Sequence, residues 1–236
     1  MTTPLSAAVK LDFRLQRRYG FFYAAAFVIL LWIGVLRIVP EDLLGPAMPY
    51  ILFGDVQFFY FFIAGAVFFE KGERTLFALL TTPLRFRDYL TAKLVSMSTL
   101  AFVTLAVIVL VDYGLGFRPL PLLAGVVFMT LLMILAGFIT APLYPSVSEW
   151  FMPSTLLLLV VNAPAIDYTG LWPHPLFYLI PTEAPYLLLG TAFGQVSLSP
   201  WQAVYAVGYP LLWIGLLCLL ARWVFYRYVV TREGGQ

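Results

Sequence analysis

The chain is poor in the residues that most protein chemistry draws on. It has one cysteine, Cys218, and one histidine, His174, among 236 residues, and only 11% of its positions are charged, against about 25% in an ordinary soluble domain. A lone cysteine excludes an intrachain disulfide; set among leucines, Cys218 reads as a small lipid-facing or packed residue. A lone histidine excludes a multi-histidine metal site. There is no G-x-x-x-x-G-K-[ST] loop to cradle nucleotide phosphates, no G-x-S-x-G elbow and no H-E-x-x-H pair. No polar stretch is long enough to make a soluble domain, so residues 1–236 read as one membrane domain.

What is there is apolar. With 62% hydrophobic residues and a mean hydropathy of +0.91, the chain has more apolar surface than a water-soluble core could hide, and lipid has to be its main solvent. A spanning helix needs about 20 mainly apolar residues. Candidate spans run over Gly20–Val39, Pro49–Phe69, Leu94–Gly114, Pro121–Ala141, a shorter Phe151–Ile166, and Val204–Phe225. The stretch Leu171–Phe193 is apolar but holds Pro173, Pro175, Pro181 and Pro185. Proline breaks helices, and non-helical backbone at membrane depth survives only inside protein or beside a wet cavity. Residues 167–200 are therefore expected to hold short re-entrant helices on one face. The expected class is all-α integral membrane with about six transmembrane helices.

Basic residues support that count. Lys and Arg gather on the cytoplasmic side of spans. Lys10, Arg14, Arg17 and Arg18 precede the first span, Lys71, Arg74, Arg85, Arg87 and Lys93 follow the second, and Arg222, Arg227 and Arg232 close the chain. Six crossings put these three clusters, and both termini, on one cytoplasmic face of a cell membrane. Arg37 and Arg118 fall opposite, with Glu41, Asp42 and Asp167. The first apolar run is a full span rather than a short h-region, so no cleavable signal is expected.

Two segments outside the spans carry patterns. In residues 1–19, Leu5, Val9 and Phe13 recur at i+4 opposite Lys10, Arg14 and Arg17, as in a basic helix lying in the headgroup layer; Asp12 interrupts the apolar face. Residues 70–93 read as two short amphipathic helices against the inner membrane face. Leu76, Leu79 and Leu80 form the first stripe, Thr82-Pro83 makes a cap and break, and Phe86, Tyr89, Leu90 and Lys93 form the second. Lys93 is placed to snorkel to the interface.

Ionisable residues within spans are few. Asp55 and Asp112 are the clearest, both near the outer third of their helices, where hydration accounts for them, although intramembrane acids are functional candidates. The second span is ringed by aromatics. Phe58, Phe59 and Phe62, with Asp55, are candidates for lining a path for a flat apolar substrate.

The loop from Glu70 carries a resemblance. Glu70-x-Gly72, then Leu76-x-x-Leu79-x-x-Thr82-Pro83, then Tyr89-Leu90-x-x-Lys93 entering the third span, resembles the permeases of ABC-2 type transporters. The similarity is to drug-export and fluoroquinolone-export-like permeases in particular, and it extends over nearly the whole chain. The resemblance implies a coupling element running from Glu70 through Gly72, Glu73, Arg74, Leu76 and Leu79 to about Thr82. It would dock into a separately encoded ATPase, with two ATPases and two permeases, identical or paralogous, in the working unit. ATP and Mg²⁺ would belong to that partner; this chain would hold no cofactor and no metal, and its other contacts would be membrane lipids, not nucleic acid. The competing reading of Glu70, Gly72, Glu73 and Arg74 is a solvated helix start with acids near its dipole. The resemblance also makes Trp172–Phe193 an outer gate, with Tyr178, Pro181 and Glu183 at its centre and Glu183 and His174 facing outer water.

Two other function classes stay open. An intramembrane enzyme acting on lipids needs clustered acids or metal ligands, and Asp55, Asp112, Asp167 and Glu183 are scattered. An ion-coupled secondary transporter typically shows ionisable groups near the midplane and related halves, and no internal repeat is visible.

Overall fold

The structure is a computed structural model and describes residues 4–73 and 85–230. Among these residues every regular element is helical. In chain order they are α1 (Pro4–Arg18), α2 (Phe21–Leu36), α3 (Glu41–Gly72), α4 (Phe86–Asp112), α5 (Pro119–Thr140), α6 (Val147–Asn162), α7 (Pro164–Tyr168), α8 (Glu183–Ala192) and α9 (Pro200–Val224). Three-ten turns cover Ala141–Leu143 and Pro175–Leu179, and a π-helical turn, Phe225–Val230, extends α9.

Among the described residues, five helical stretches are long and apolar enough to cross a membrane: α3, α4, α5 with its three-ten turn, α6 with α7, and α9. A bent pair, α1 with α2, makes a sixth candidate. Gly20, with φ of +82°, lets the chain turn between α1 and α2 through 65°, a backbone conformation that costs glycine little. The sixteen residues of α2 give about 24 Å of helix at 1.5 Å per residue.

Two expected boundaries move. The second span was placed from Pro49, but α3 begins at Glu41, with Glu41 and Asp42 in its first turn and both Pro46 and Pro49 inside. Pro49 has no N–H to offer the Gly45 carbonyl, and that carbonyl instead accepts from Gln195 Nε2. The third span was placed from Leu94, behind a separate surface helix; the two are one continuous helix, α4. No breaker lies between Phe86 and Leu94, and charge ends a hydropathy window without ending a helix. Leu171–Phe193 makes no crossing: it holds the three-ten turn and the ten-residue α8.

The helices alternate between two ends. One end gathers α1, Glu70–Glu73, the start of α4, the 141–150 connection and Phe225, whose ring lies 5.0 Å from Phe86 and 5.6 Å from Tyr89. The other gathers the α2–α3 turn, the α4–α5 turn, α7 and α8, where the Arg118 N–H donates to the Ala192 carbonyl at 2.8 Å. At the centre stands α5, packed on α3, α8 and α9. Gly137 allows this: a Cβ there would lie 2.4 Å from the Tyr60 carbonyl oxygen and 2.6 Å from Ile63 Cγ2. Small residues that let backbones approach are how helices bind one another in lipid. α3 and α6 are also joined by a reciprocal amide pair, Gln57 with Asn162, at 3.0 and 3.1 Å.

Candidate functional site

At the basic end α3 runs out at Gly72 and α4 begins at Phe86, so Glu70 and Lys93 flank the connection between them. Lys93 pairs with Glu70 and stands 2.5 Å from Asp12 of α1. All three are enclosed: Glu70 is 1% exposed, Lys93 2% and Asp12 4%. One ammonium faces two carboxylates, and neighbouring donors make up the balance. Tyr89 donates to Glu70 at 2.6 Å, Ser96 donates to Asp12, and Gln16 Nε2 donates to Asp12 at 3.0 Å. Buried charges persist only when paired and hydrogen-bonded in this way.

A second set of contacts surrounds this triad. Glu73 pairs with Arg18 at 2.8 Å and accepts from the Tyr19 hydroxyl at 3.1 Å. Partial burial, and then Glu73, push the Tyr19 phenol up to about 12. Lys71 donates to the Tyr144 carbonyl at 2.8 Å and lies 5.5 Å from the Phe68 ring. The two ends of the 74–84 stretch are thus bound to each other, to α1 and to the α5–α6 connection.

These contacts revise two expectations. Asp12 does not interrupt the packed face of α1; with Gln16, one turn on, it is the most buried part of that helix. Lys93 does not snorkel outward but holds the triad together. Neither role could be read from either segment alone. The available signals were an acid inside an apolar stripe, and Tyr89 and Lys93 four residues apart on one helical face.

Of the residues expected to form the coupling element, Glu70 is the buried base, Gly72 ends α3, and Glu73 caps the α1–α2 bend. Arg74, Leu76 and Leu79, with Leu80 and the Thr82-Pro83 break, lie outside the described residues, as does Arg232. In the span, Asp55 is 0% exposed near the middle of α3. The bundle closes over it rather than leaving it at the surface, with the Trp32 indole N–H beside it. Phe59 and Phe62 meet edge to face at 5.4 Å, and Phe62 stacks on Phe21 at 5.2 Å, filling the α2–α3 seam. Phe58 is half-buried.

At the opposite end, Tyr178 and Pro181 are half-buried. The Tyr178 hydroxyl accepts from Gln202 at 3.1 Å and its carbonyl accepts from the Tyr205 hydroxyl at 2.7 Å. Tyr209 donates to the Leu179 carbonyl at 2.6 Å, so α9 supplies the donors that the non-helical backbone lacks. Glu183 was expected to face water; it is 0% exposed, because its position at the start of α8 turns it into the bundle. His174 is half-buried, its Nδ1 accepting from the Leu176 N–H at 3.3 Å.

A family model for the fluoroquinolones export permease protein family matches residues 3–233, covering both ends of the bundle. The chain belongs to that family. The permease is 47% identical over 234 residues to fluoroquinolones export permease proteins of two Mycobacterium tuberculosis strains, CDC 1551 / Oshkosh and ATCC 25618 / H37Rv. Each match covers 98% of this chain and 99% of the relative. No solved structure matches the permease. Family and fold together make it a multi-pass membrane transport protein of the export type.

Proposed function

We propose that the permease is the membrane half of an ATP-driven exporter of the ABC-2 type, working as a pair of permeases with two copies of a separate ATPase. The basic end faces the cytoplasm of a cell membrane, since Lys10, Arg14, Arg17, Arg18, Lys71, Arg85, Arg87, Arg222 and Arg227 gather there. ATP and Mg²⁺ act on the partner. The substrate is a hydrophobic or amphipathic, drug-like molecule, the class to which the compounds in the relatives' names belong.

The observation that carries this reading is the closed triad of Asp12, Glu70 and Lys93. A partner that pushes on residues 74–84 pushes on a base that ties α1, α3 and α4 together. Force applied at the surface therefore reaches three helices as one body. Glu70 and Lys93 transmit; Leu76 and Leu79 are the residues that dock.

The test is co-purification with a candidate ATPase subunit from the same organism, followed by ATP-driven export in proteoliposomes. L76D and L79D together should leave the permease folded but remove both ATPase association and export. Full association and export in that variant would reject the segment as the docking element. A second reading has one observation in its favour: a fully buried acid near mid-span, Asp55, is what an ion-coupled transporter would hold. Export that follows an imposed proton gradient with no ATPase present would select it.

A further inference from the structure

The end opposite the basic cluster holds a recess of about 580 Å³, lined by Asp167, His174, Tyr178, Trp201 and Tyr205 together with two prolines. Its three large rings stand close, Tyr178 to Trp201 at 5.5 Å, Tyr178 to Tyr205 at 5.2 Å and Trp201 to Tyr205 at 6.4 Å. The Tyr178 and Tyr205 hydroxyls are already committed to Gln202 and to the Tyr178 carbonyl. What remains on offer is ring surface and acid. Asp167 accepts the His174 N–H at 2.9 Å through one oxygen, and no Lys or Arg is among the lining residues.

Behind this wall stands Glu183, fully buried and within hydrogen-bonding reach of Asp167 when protonated. It acts electrostatically on both Asp167 and Tyr205, two of the lining residues. Aromatic faces attract cations through their quadrupole, most strongly where water is excluded. An aromatic recess backed by two carboxyls and no basic residue is therefore complementary to one kind of ligand.

We propose that this recess binds an organic ammonium ion, an alkylated amine whose cationic head sits between Asp167 and the rings of Tyr178, Trp201 and Tyr205. The inference rests on the export reading only for which molecule brings the amine: a substrate on its way out, or a lipid headgroup.

Glu183 adds a proton to the exchange. Burial, and then Asp167, push its carboxyl up to about 8, so at neutral pH it is mostly protonated. The groups that face it are Asp167 from α7, Tyr205 from α9 and Tyr186 from its own helix. A cation arriving beside Asp167 lowers the cost of ionising Glu183, and the proton leaves to water.

The experiment is isothermal titration of the purified permease in phosphatidylglycerol nanodiscs with benzyltrimethylammonium, whose charge does not depend on pH, with empty discs subtracted. Saturable binding is expected. Trp201 is 59% exposed, so W201A should fold and bind the probe about three- to tenfold more weakly. D167N keeps an oxygen for the His174 N–H and should weaken binding to a similar degree. Repeating the titration at pH 7 in buffers of different ionisation enthalpy should show proton release from the parent protein and none from E183Q. Adding phosphatidylethanolamine to the discs separates the sources: competition identifies a lipid amine, and unchanged affinity a soluble one. Absence of saturable binding overturns the proposal, as does undiminished binding to both W201A and D167N. So does equal affinity for the uncharged isostere 2,2-dimethylpropylbenzene. No ATPase is present, so ATP-driven export stands or falls separately.

Discussion

Lys93 Nζ lies 2.5 Å from Asp12 Oδ1, joining the helix that follows residues 74–84 to the helix that opens the described chain. Removing one partner from a buried ion pair costs about 3–5 kcal/mol, since the remaining charge loses its counter-ion. K93M leaves two carboxylates facing each other and should unfold at a clearly lower temperature in detergent. D12N leaves Lys93 paired with Glu70 and still offers Ser96 an acceptor, so its loss should be much smaller. Equal losses from the two variants would show that the triad is not the unit described.

Gly137 sits where α5 touches the backbone of α3, 2.4 Å from the Tyr60 carbonyl when a Cβ is added. A carbonyl cannot swing aside as a side chain can. G137A should lower the unfolding midpoint, and G137V should prevent recovery of monodisperse protein by size-exclusion chromatography. At Gly125 the nearest atoms belong to the flexible Leu189 side chain, at 3.0 and 3.1 Å, so G125A should be the milder change.

The amide pair of Gln57 and Asn162 joins α3 to α6 within the apolar layer. Interhelical hydrogen bonds in membranes measure about 0.6 kcal/mol on average and reach about 1.7. A double-mutant cycle with Q57L and N162L should return a coupling in that range. Additive single losses would mean that the pair contributes no direct stabilisation.

Glu183 makes stability depend on pH in a definite direction. Its native carboxyl titrates at about 8, against 4.5 unperturbed, so the folded protein holds this proton more tightly than the unfolded chain. The stability due to the neutral form is fully present below about 4.5 and is lost as pH rises through about 8. E183Q is neutral at every pH. Its unfolding midpoint should match the parent's in acid, rise above it as pH climbs towards 8, and keep a constant margin beyond. A constant margin across the whole range would contradict the buried, protonated carboxyl.

Asp55 separates the two energy sources. D55N removes the ionisable group and keeps the shape. An ATP-driven exporter should retain ATP-dependent export in this variant and melt no lower than the parent. Loss of export with intact ATPase association would mean that a charge in the middle of α3 takes part in transport.

The spans were legible because lipid imposes one rule, long apolar helices with satisfied backbones, and hydropathy reads it directly. Their ends were less so. Hydropathy stops at the charges of Arg87, Asp88 and Lys93, while the backbone of α4 continues through them. Pro49 read as a boundary, yet α3 runs through it, as it does through Pro46, and Gln195, from a distant loop, takes up the carbonyl that Pro49 leaves free. The candidate site was half visible. Glu70 and the Tyr89-Leu90-x-x-Lys93 pattern marked the right place, but their partner Asp12 lies on another helix, and no local pattern announces a pairing made only on folding. Glu183 misled for the same reason: an acid beside prolines looks solvent-facing until the bundle closes over it.

Because Glu70 and Lys93 close the base of the 74–84 stretch, its length and wording are insulated from the bundle. Once the ends are fixed, doubling a connection adds only about 0.6 kcal/mol of closure entropy. The stretch can therefore drift, grow or be exchanged between relatives while the membrane core stays unchanged. Under the proposed coupling, fitting this permease to a different ATPase would be a matter of one graft, made between two anchors that already hold each other.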